Sequence, residues 1–271
     1  MSKHKKPPIP VFEHAIIETH CHLDYLKEYS LEEVIERSCE VGVEKIITIA
    51  VSPDNLEKVM TLVNQHPMIW GTQGVHPHDA DKFTAETQSH IRENAQYERI
   101  LAIGEIGLDY FYENSDRKTQ QQVFETQLQI ASDMDLPVVI HSRDADDDMM
   151  AILKNFESTL KKRGVIHSFT SGPQLAQYAI DQGFCLGFNG ICTFKTAENV
   201  REIIRMTPLQ QIILETDAPY LTPVPYRGKE NASFYLPFVA QQVADVKELP
   251  IEQLLKHAFD NSEALFFSGA K

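Results

Sequence analysis

The sequence predicts an α/β protein of the (β/α)8 TIM-barrel type. Three observations carry this. Short apolar runs alternate with helical patterns along the chain, the signature of strand–helix units around a parallel sheet. Eight such runs fit within 271 residues, and a barrel of this kind takes about 250. Several runs also end abruptly in His, Glu or Asp. A doubly wound open sheet shares the first two features. The polar strand ends favour the barrel, because its C-terminal strand ends converge on one mouth.

The expected strands, in order, are Ala15–Thr19, Lys45–Val51, Ile69–Val75, Ile100–Ile106, Pro137–His141, Gly164–Ser168, Phe184–Phe188 and Gln211–Thr216. Each is an apolar run bounded by polar or turn-forming residues. Helices are expected between them. Leu31–Val41 places Leu31, Val34, Ile35, Ser38 and Val41 on one helical face, and Asn55–Gln65 does the same with Leu56, Val59, Met60 and Val63. Arg117–Met134 is long and stops ahead of Pro137. Gly172–Gln182 opens on Pro173, a favoured first-turn residue, and closes at Gly183. No linker, repeat or low-complexity break interrupts the pattern, so residues 1–271 are expected to form one domain, with residues 1–14 a loose leader.

Composition narrows the classes. Hydrophobic residues make up 42% and charged residues 24%, which excludes disordered, collagen-like and coiled-coil chains. No apolar run reaches the roughly 20 residues that span a bilayer. Lys and Arg total 25 against 39 Asp and Glu, a net charge of −14. That argues against a basic groove coating nucleic acid, but not against a nuclease whose metal ions meet the phosphate. The four cysteines, Cys21, Cys39, Cys185 and Cys192, form no C-x-x-C pair and no disulfide framework. A basic start without an apolar segment behind it, together with reduced thiols, places the protein in the cytoplasm by default.

The strand ends carry the chemistry. His20 and His22 end the first run, Glu105 the fourth, His141 the fifth, His167 the sixth and Asp217 the eighth. The i, i+2 spacing of His20 and His22 puts both on one face of a strand, a ready clamp for Zn²⁺ or a similar ion. A lone His-x-His is a weak signal; five coincident strand ends are a strong one. The count suits two divalent ions: His20, His22 and Asp217 on one, His141 and His167 on the other, with the Glu105 carboxylate bridging.

These segments resemble a known family. Thr19-His20-Cys21-His22-Leu23-Asp24, Gly104-Glu105-Ile106-Gly107-Leu108-Asp109-Tyr110, Ile140-His141-Ser142-Arg143, His167-Ser168-Phe169-Thr170 and Glu215-Thr216-Asp217-Ala218-Pro219-Tyr220-Leu221 look like the TatD metal-dependent hydrolases, described as deoxyribonucleases, and so imply an amidohydrolase-like barrel. The similarity runs from Ile16 to Phe266 in the expected order. It implies the same six ligands and Mg²⁺-supported cleavage of DNA, often from the 3′ end of single strands. The histidine-rich donor set also suits Zn²⁺ or Mn²⁺. Two departures stand out. Glu18 replaces the family's Asp ahead of the first histidine, where it is expected to orient His20. Arg227-Gly228-Lys229-Glu230-Asn231-Ala232-Ser233 lacks the family's proline and adds the charge of Glu230.

The expected reaction is phosphodiester hydrolysis by metal-activated water, with Glu105 bridging and Asp217 as general base. His76, after the third strand, is placed for substrate contact or proton delivery, against a reading as a packing residue. Arg143 shares the face of His141 and suits a phosphate, against an ion pair with Asp144 or Asp146. Lys195 and Arg227 are weaker phosphate candidates, and His78 reads as structural or exposed. Asp109 is expected to steady the metal-site loop. Tyr110, Phe111 and Tyr112 either stack bases or pack at the rim. The acids of Asp144–Asp148 read as a solvated helix start that repels a nucleic-acid backbone and favours capture of a strand end. DNA, single-stranded or at its 3′ ends, is the expected partner of a monomer or weak oligomer. Two rivals remain. Related barrels act on small phosphoesters, amides or lactones, many with a modified lysine where this chain has Glu105. A non-catalytic barrel is expected to have lost ligands, and none is lost here.

Overall fold

The computed structural model describes residues 6–268. Its parallel sheet runs β1 (Ile16–Cys21), β2 (Val43–Thr48), β3 (Ile69–Gln73), β4 (Ile100–Asp109), β5 (Val138–Arg143), β6 (Gly164–Ile166), β7 (Cys185–Phe188) and β8 (Ile212–Leu214), each beside its sequence neighbour. The ring closes between β1 and the segment after β8: Asp217 N–H donates to His20 O at 2.8 Å, and His22 N–H to Ala218 O at 2.7 Å. The helices are α1 (Leu31–Glu40), α2 (Leu56–Gln65), α3 (Ala85–Asn94), α4 (Arg117–Met134), α5 (Asp146–Asn155), α6 (Pro173–Asp181), α7 (Glu198–Met206), α8 (Leu236–Lys247) and α9 (Ile251–Ser262). No helix among the described residues is long and apolar enough to cross a membrane.

The strands are buried because helices cover their outer faces and side chains fill the lumen. Ile46, Ile69, Ile103 and Leu186 belong to the main core; Ile47, Leu101, Val139 and Ile213 form a second cluster with Phe266 from the chain end. Helix starts follow capping chemistry. Ser30 accepts the N–H of Glu33 ahead of α1, and Asp116 that of Thr119 ahead of α4.

Three expectations change. β4 does not stop at Ile106; it continues to Asp109, with a register irregularity against β5 between Ile103 and Ile106. Glu105 therefore sits at an irregularity inside the strand, where such a feature re-aims a side chain. β6 and β8 are shorter than expected, so His167 and Asp217 lie on the loops beyond them. The leader is not loose where it is described. Tyr226 donates to Pro7 O at 2.8 Å, Glu252 accepts the N–H groups of Glu13 and His14 at 3.0 Å each, and Ile9 and Phe12 pack on the core. Residues 1–5 of that leader lie outside the described residues.

Candidate metal centre

β1 presents His20 and, one residue past its end, His22. Their Nε2 atoms lie 3.7 and 3.4 Å from Oδ1 of Asp217. Cys21 between them points the other way and is fully buried. Asp217 has φ 59°, a left-handed conformation, and its N–H is one of the bonds that close the barrel. Closure and ligand placement are thus one event.

Glu105 is the hub. Its Oε2 lies 3.3 Å from His20 Nε2, while Oε1 lies 2.8 Å from His167 Nε2 and 3.2 Å from His141 Nδ1. One carboxylate thus reaches both expected ligand groups, while His20, Glu105 and His167 also form a triad that spans the two. Burial pushes its pKa up, but the surrounding His167, His76 and His141 outweigh burial and hold it well below the usual range.

A neutral imidazole has one N–H and one lone pair, so its partners reveal which nitrogen can bind a cation. His22 Nδ1 lies 3.3 Å from the carbonyl of Ile49, leaving the Nε2 lone pair toward Asp217. His141 Nε2 lies 2.9 Å from Asp109 Oδ2, leaving Nδ1 toward Glu105. His76 is the reverse. Its Nδ1 accepts the N–H of His78 at 3.1 Å, so Nε2 carries hydrogen and faces Glu105 Oε1 at 3.3 Å. His76, Glu105 and His141 are close enough to hold an ion, yet His76 is set to donate a hydrogen bond. Burial first, then His141, push its pKa down to about 4, so it is neutral at pH 7.

His20 and His167 test the fit of a metal. Their rings stack at 3.8 Å and 5°. All four ring nitrogens are buried and none makes an aligned hydrogen bond, although Nε2 of each ring faces an oxygen of Glu105. Unpaired polar groups at this depth cost about 1–3 kcal/mol each. Cations coordinated by imidazole nitrogen and carboxylate oxygen remove that cost, and the donor set is right for them. The six expected ligands, His20, His22, Glu105, His141, His167 and Asp217, form one cluster at the barrel mouth. It opens into a cavity of about 740 Å³.

Other expected residues fall in different places. Arg143 lines this cavity and lies over the rings of Phe111 and Tyr112, at 4.1 and 4.9 Å, rather than pairing with Asp144 or Asp146. Lys195 is exposed and does not line the cavity; nor does Arg227, whose guanidinium covers Phe194 at 3.7 Å. Asp109 is buried and accepts from Phe111 N–H and Tyr112 N–H. Its Oδ2 also faces His78 Nε2 at 2.9 Å. Tyr110 is buried with its hydroxyl on Asp148, whereas Phe111 and Tyr112 are exposed. Glu18 makes no bond to the ring of His20. It accepts the backbone N–H of His20 at 3.1 Å and of Thr216 at 2.9 Å, tying β1 to the segment after β8. Glu230 receives the N–H groups of Lys27 and Glu28, the latter at 2.7 Å, so its charge secures the loop after β1.

Sequence reasoning missed Gln120 and Gln127, fully buried on α4. Gln120 accepts Asp109 N–H at 2.8 Å and returns a bond to Asp109 O at 3.0 Å; Gln127 does the same for Val75, at 2.8 and 3.0 Å. They hold the strand ends that carry Asp109 and His76. The available signal was two glutamines seven residues apart on an inward helical face. Glu215, 3.6 Å from His167 Nδ1 and bonded to Ser168 N–H at 2.7 Å, was also passed over as a supporting residue.

A barrel with a carboxylate-centred histidine cluster at its C-terminal mouth defines a metal-dependent hydrolase. Residues 17–267 match the family described as TatD related DNase, and the chain belongs to that family. It is 36% identical over 253 residues to the metal-dependent hydrolase YabD of Bacillus subtilis, itself uncharacterized, covering 93% of this chain and 98% of that one. It is 32% identical over 241 residues to a protein of Erwinia amylovora named 3′-5′ ssDNA/RNA exonuclease TatD, covering 87% and 93%. The crystal structure of YJJV, a TatD homolog from Escherichia coli K12, superposes with a TM-score of 0.86 at 29% identity, covering 93% and 97%.

Proposed function

We propose that this metal-dependent hydrolase is a deoxyribonuclease that removes nucleotides from the 3′ ends of single-stranded DNA. The observation that carries the reading is the division of the Glu105 oxygens between His20 on one side and His141 and His167 on the other. That arrangement suits two divalent ions, Mg²⁺, Zn²⁺ or Mn²⁺, sharing one carboxylate. The exonuclease name of the Erwinia relative supports the substrate class.

Bound cations supply Lewis acidity toward a phosphoryl oxygen and lower the pKa of water. The chain does the rest. Asp217, at the edge of the cavity with Oδ1 beside both His20 and His22, takes the proton of the attacking water as general base. His76 offers its Nε2–H to a non-bridging phosphoryl oxygen, which gains charge in the transition state. Arg143 contributes a fixed cation at the cavity wall for the adjacent phosphate. Lys195 and Arg227 remain candidates for contacts with a longer strand.

The test is turnover of single-stranded DNA carrying a 3′ or a 5′ block, with each metal in turn and with Glu105→Gln alongside. Resistance of the 3′-blocked strand alone supports the assignment. Equal resistance of both, or turnover confined to lactones or small phosphoesters, overturns it.

A further inference from the structure

We infer that the mouth carries two aromatic stations, Phe111–Tyr112 and Tyr220, that stack the unpaired bases next to the phosphate being cut. The inference rests on the nuclease reading and deepens it. Among the described residues, the aromatic side chains that stand out as exposed are Phe111, Tyr112 and Tyr220, at 56%, 54% and 53%. Singly exposed rings are ordinary on a protein surface; what sets these apart is where they stand. Tyr112 and Tyr220 line the metal-site cavity.

The rings form a continuous run through the site. Tyr112 lies 5.4 Å from His78, which is 6.2 Å from His141; His141 is 5.7 Å from His167. His20 stacks on His167, His22 is 5.2 Å from His20, and Tyr220 is 6.3 Å from His22. The expected metal ligands thus occupy the middle of the run, and the exposed rings its two ends. A strand whose phosphate is held at the middle would run its bases out toward those ends, both within one cavity.

Both ends are built to stay in place. Arg143 lies over Phe111 and Tyr112, so its charge sits beside that station. Asp109 anchors the same loop through the N–H groups of Phe111 and Tyr112, at 3.1 and 3.0 Å. At the other end Asn231 donates to the carbonyl of Tyr220 at 2.6 Å. Charge supplies the second argument. The chain carries −14, and Asp144 and Asp147 are exposed on the loop and helix start beyond Arg143. A polyanion that binds such a surface draws its affinity from cations and stacking rather than from a basic groove. Every base has a π-face, so the grip tolerates any sequence but requires bases that are unstacked from a complement.

The test pairs rings with bases. Oligonucleotides lacking the base on one side or the other of the scissile phosphate are cleaved by the metal-loaded wild type, Tyr112→Leu and Tyr220→Leu. Removing a stacked base raises KM of the wild type about tenfold. Each variant shows a similar rise with the intact strand and loses its sensitivity to one missing base. A second readout needs no turnover: 2-aminopurine at those positions of a strand with a non-hydrolysable methylene phosphonate at the scissile linkage loses fluorescence when the metal-loaded wild type binds, and keeps it with the variant facing it. If the wild type cleaves single-stranded DNA yet ignores missing bases, or if both variants keep the full wild-type sensitivity, the stations are overturned while the nuclease reading stands. If no metal supports cleavage of single-stranded DNA, the nuclease reading falls and this inference falls with it.

Discussion

Nε2 of His141 lies 2.9 Å from Oδ2 of Asp109, and this contact decides which nitrogen of His141 faces the metal centre. The same carboxylate oxygen lies 2.9 Å from His78 Nε2. Burial pushes the Asp109 pKa up, but the bonds from His141 and His78 outweigh it and keep the group ionised. Asp109 is in turn held by Gln120. Orientation of one expected ligand therefore runs from helix α4 through Asp109 into the site.

Asp109→Asn keeps the size of the side chain but removes the charge that favours both imidazole donors. We expect about a 10- to 100-fold loss of metal affinity, with little change in secondary structure. Competition against a chelator of known affinity measures it. Unchanged affinity would show that His141 is oriented without Asp109.

Glu105→Gln leaves one oxygen where two are used. Turnover should fall by more than the roughly 100-fold typical of losing an outer partner, and bound metal should drop below two per chain. Elemental analysis beside a rate measurement checks both. Full turnover would exclude the bridging role.

Removing the metal should lower thermal stability, because the stacked pair His20–His167 is then left with buried nitrogens that make no aligned hydrogen bond. An ion present at a hundred times its Kd stabilises by about 2.7 kcal/mol. At this chain length that corresponds to roughly 5–10 °C in Tm. Calorimetry with a chelator, then with excess Zn²⁺, Mn²⁺ or Mg²⁺, reads the difference and ranks the ions.

Gly107→Ala tests the junction of β4 and β5. Gly107 has φ +140°, and a Cβ there would lie 2.0 Å from the carbonyl oxygen of His141. The strained backbone costs about 1–3 kcal/mol before the clash is counted, and relief would move His141. Urea unfolding should show the stability loss and metal titration a weaker site.

Arg143→Ala should raise KM for single-stranded DNA about tenfold, the scale of one charge-assisted contact. Arg143→Lys should recover only part of it, because an ammonium does not lie flat over Phe111 and Tyr112. Lys195→Ala and Arg227→Ala, outside the cavity wall, should change KM for a short oligonucleotide by less than about twofold, as surface charges do. Steady-state kinetics on one short strand compares all four.

The barrel and the cluster of expected ligands were legible because both are periodic or terminal features. A parallel strand covered on both faces must be an apolar run, so the chain announces each strand and the residue that ends it. His20, His22, His141, His167 and Asp217 stand out against such runs. Helix α4 was legible to the residue, from its length and the proline beyond it. The extent of β4 was not. The irregularity opposite β5 depends on backbone pairing between Ile103 and Ile106 and Val138 to Ile140, which no local pattern encodes.

Residue order therefore carried the architecture, the candidate ligands and the family motifs, since each rests on the chemistry of short stretches. Folding in three dimensions settled matters between stretches: which imidazole nitrogen is free, that His76 presents a hydrogen, and that Glu18 braces backbone instead of a ring. It also placed Arg143 over two rings and left Lys195 and Arg227 outside the cavity. Hydrogen-bond partners and facing charges come from segments tens to hundreds of residues apart, as in the bond between Glu18 and Thr216. Their roles exist only once the barrel has closed.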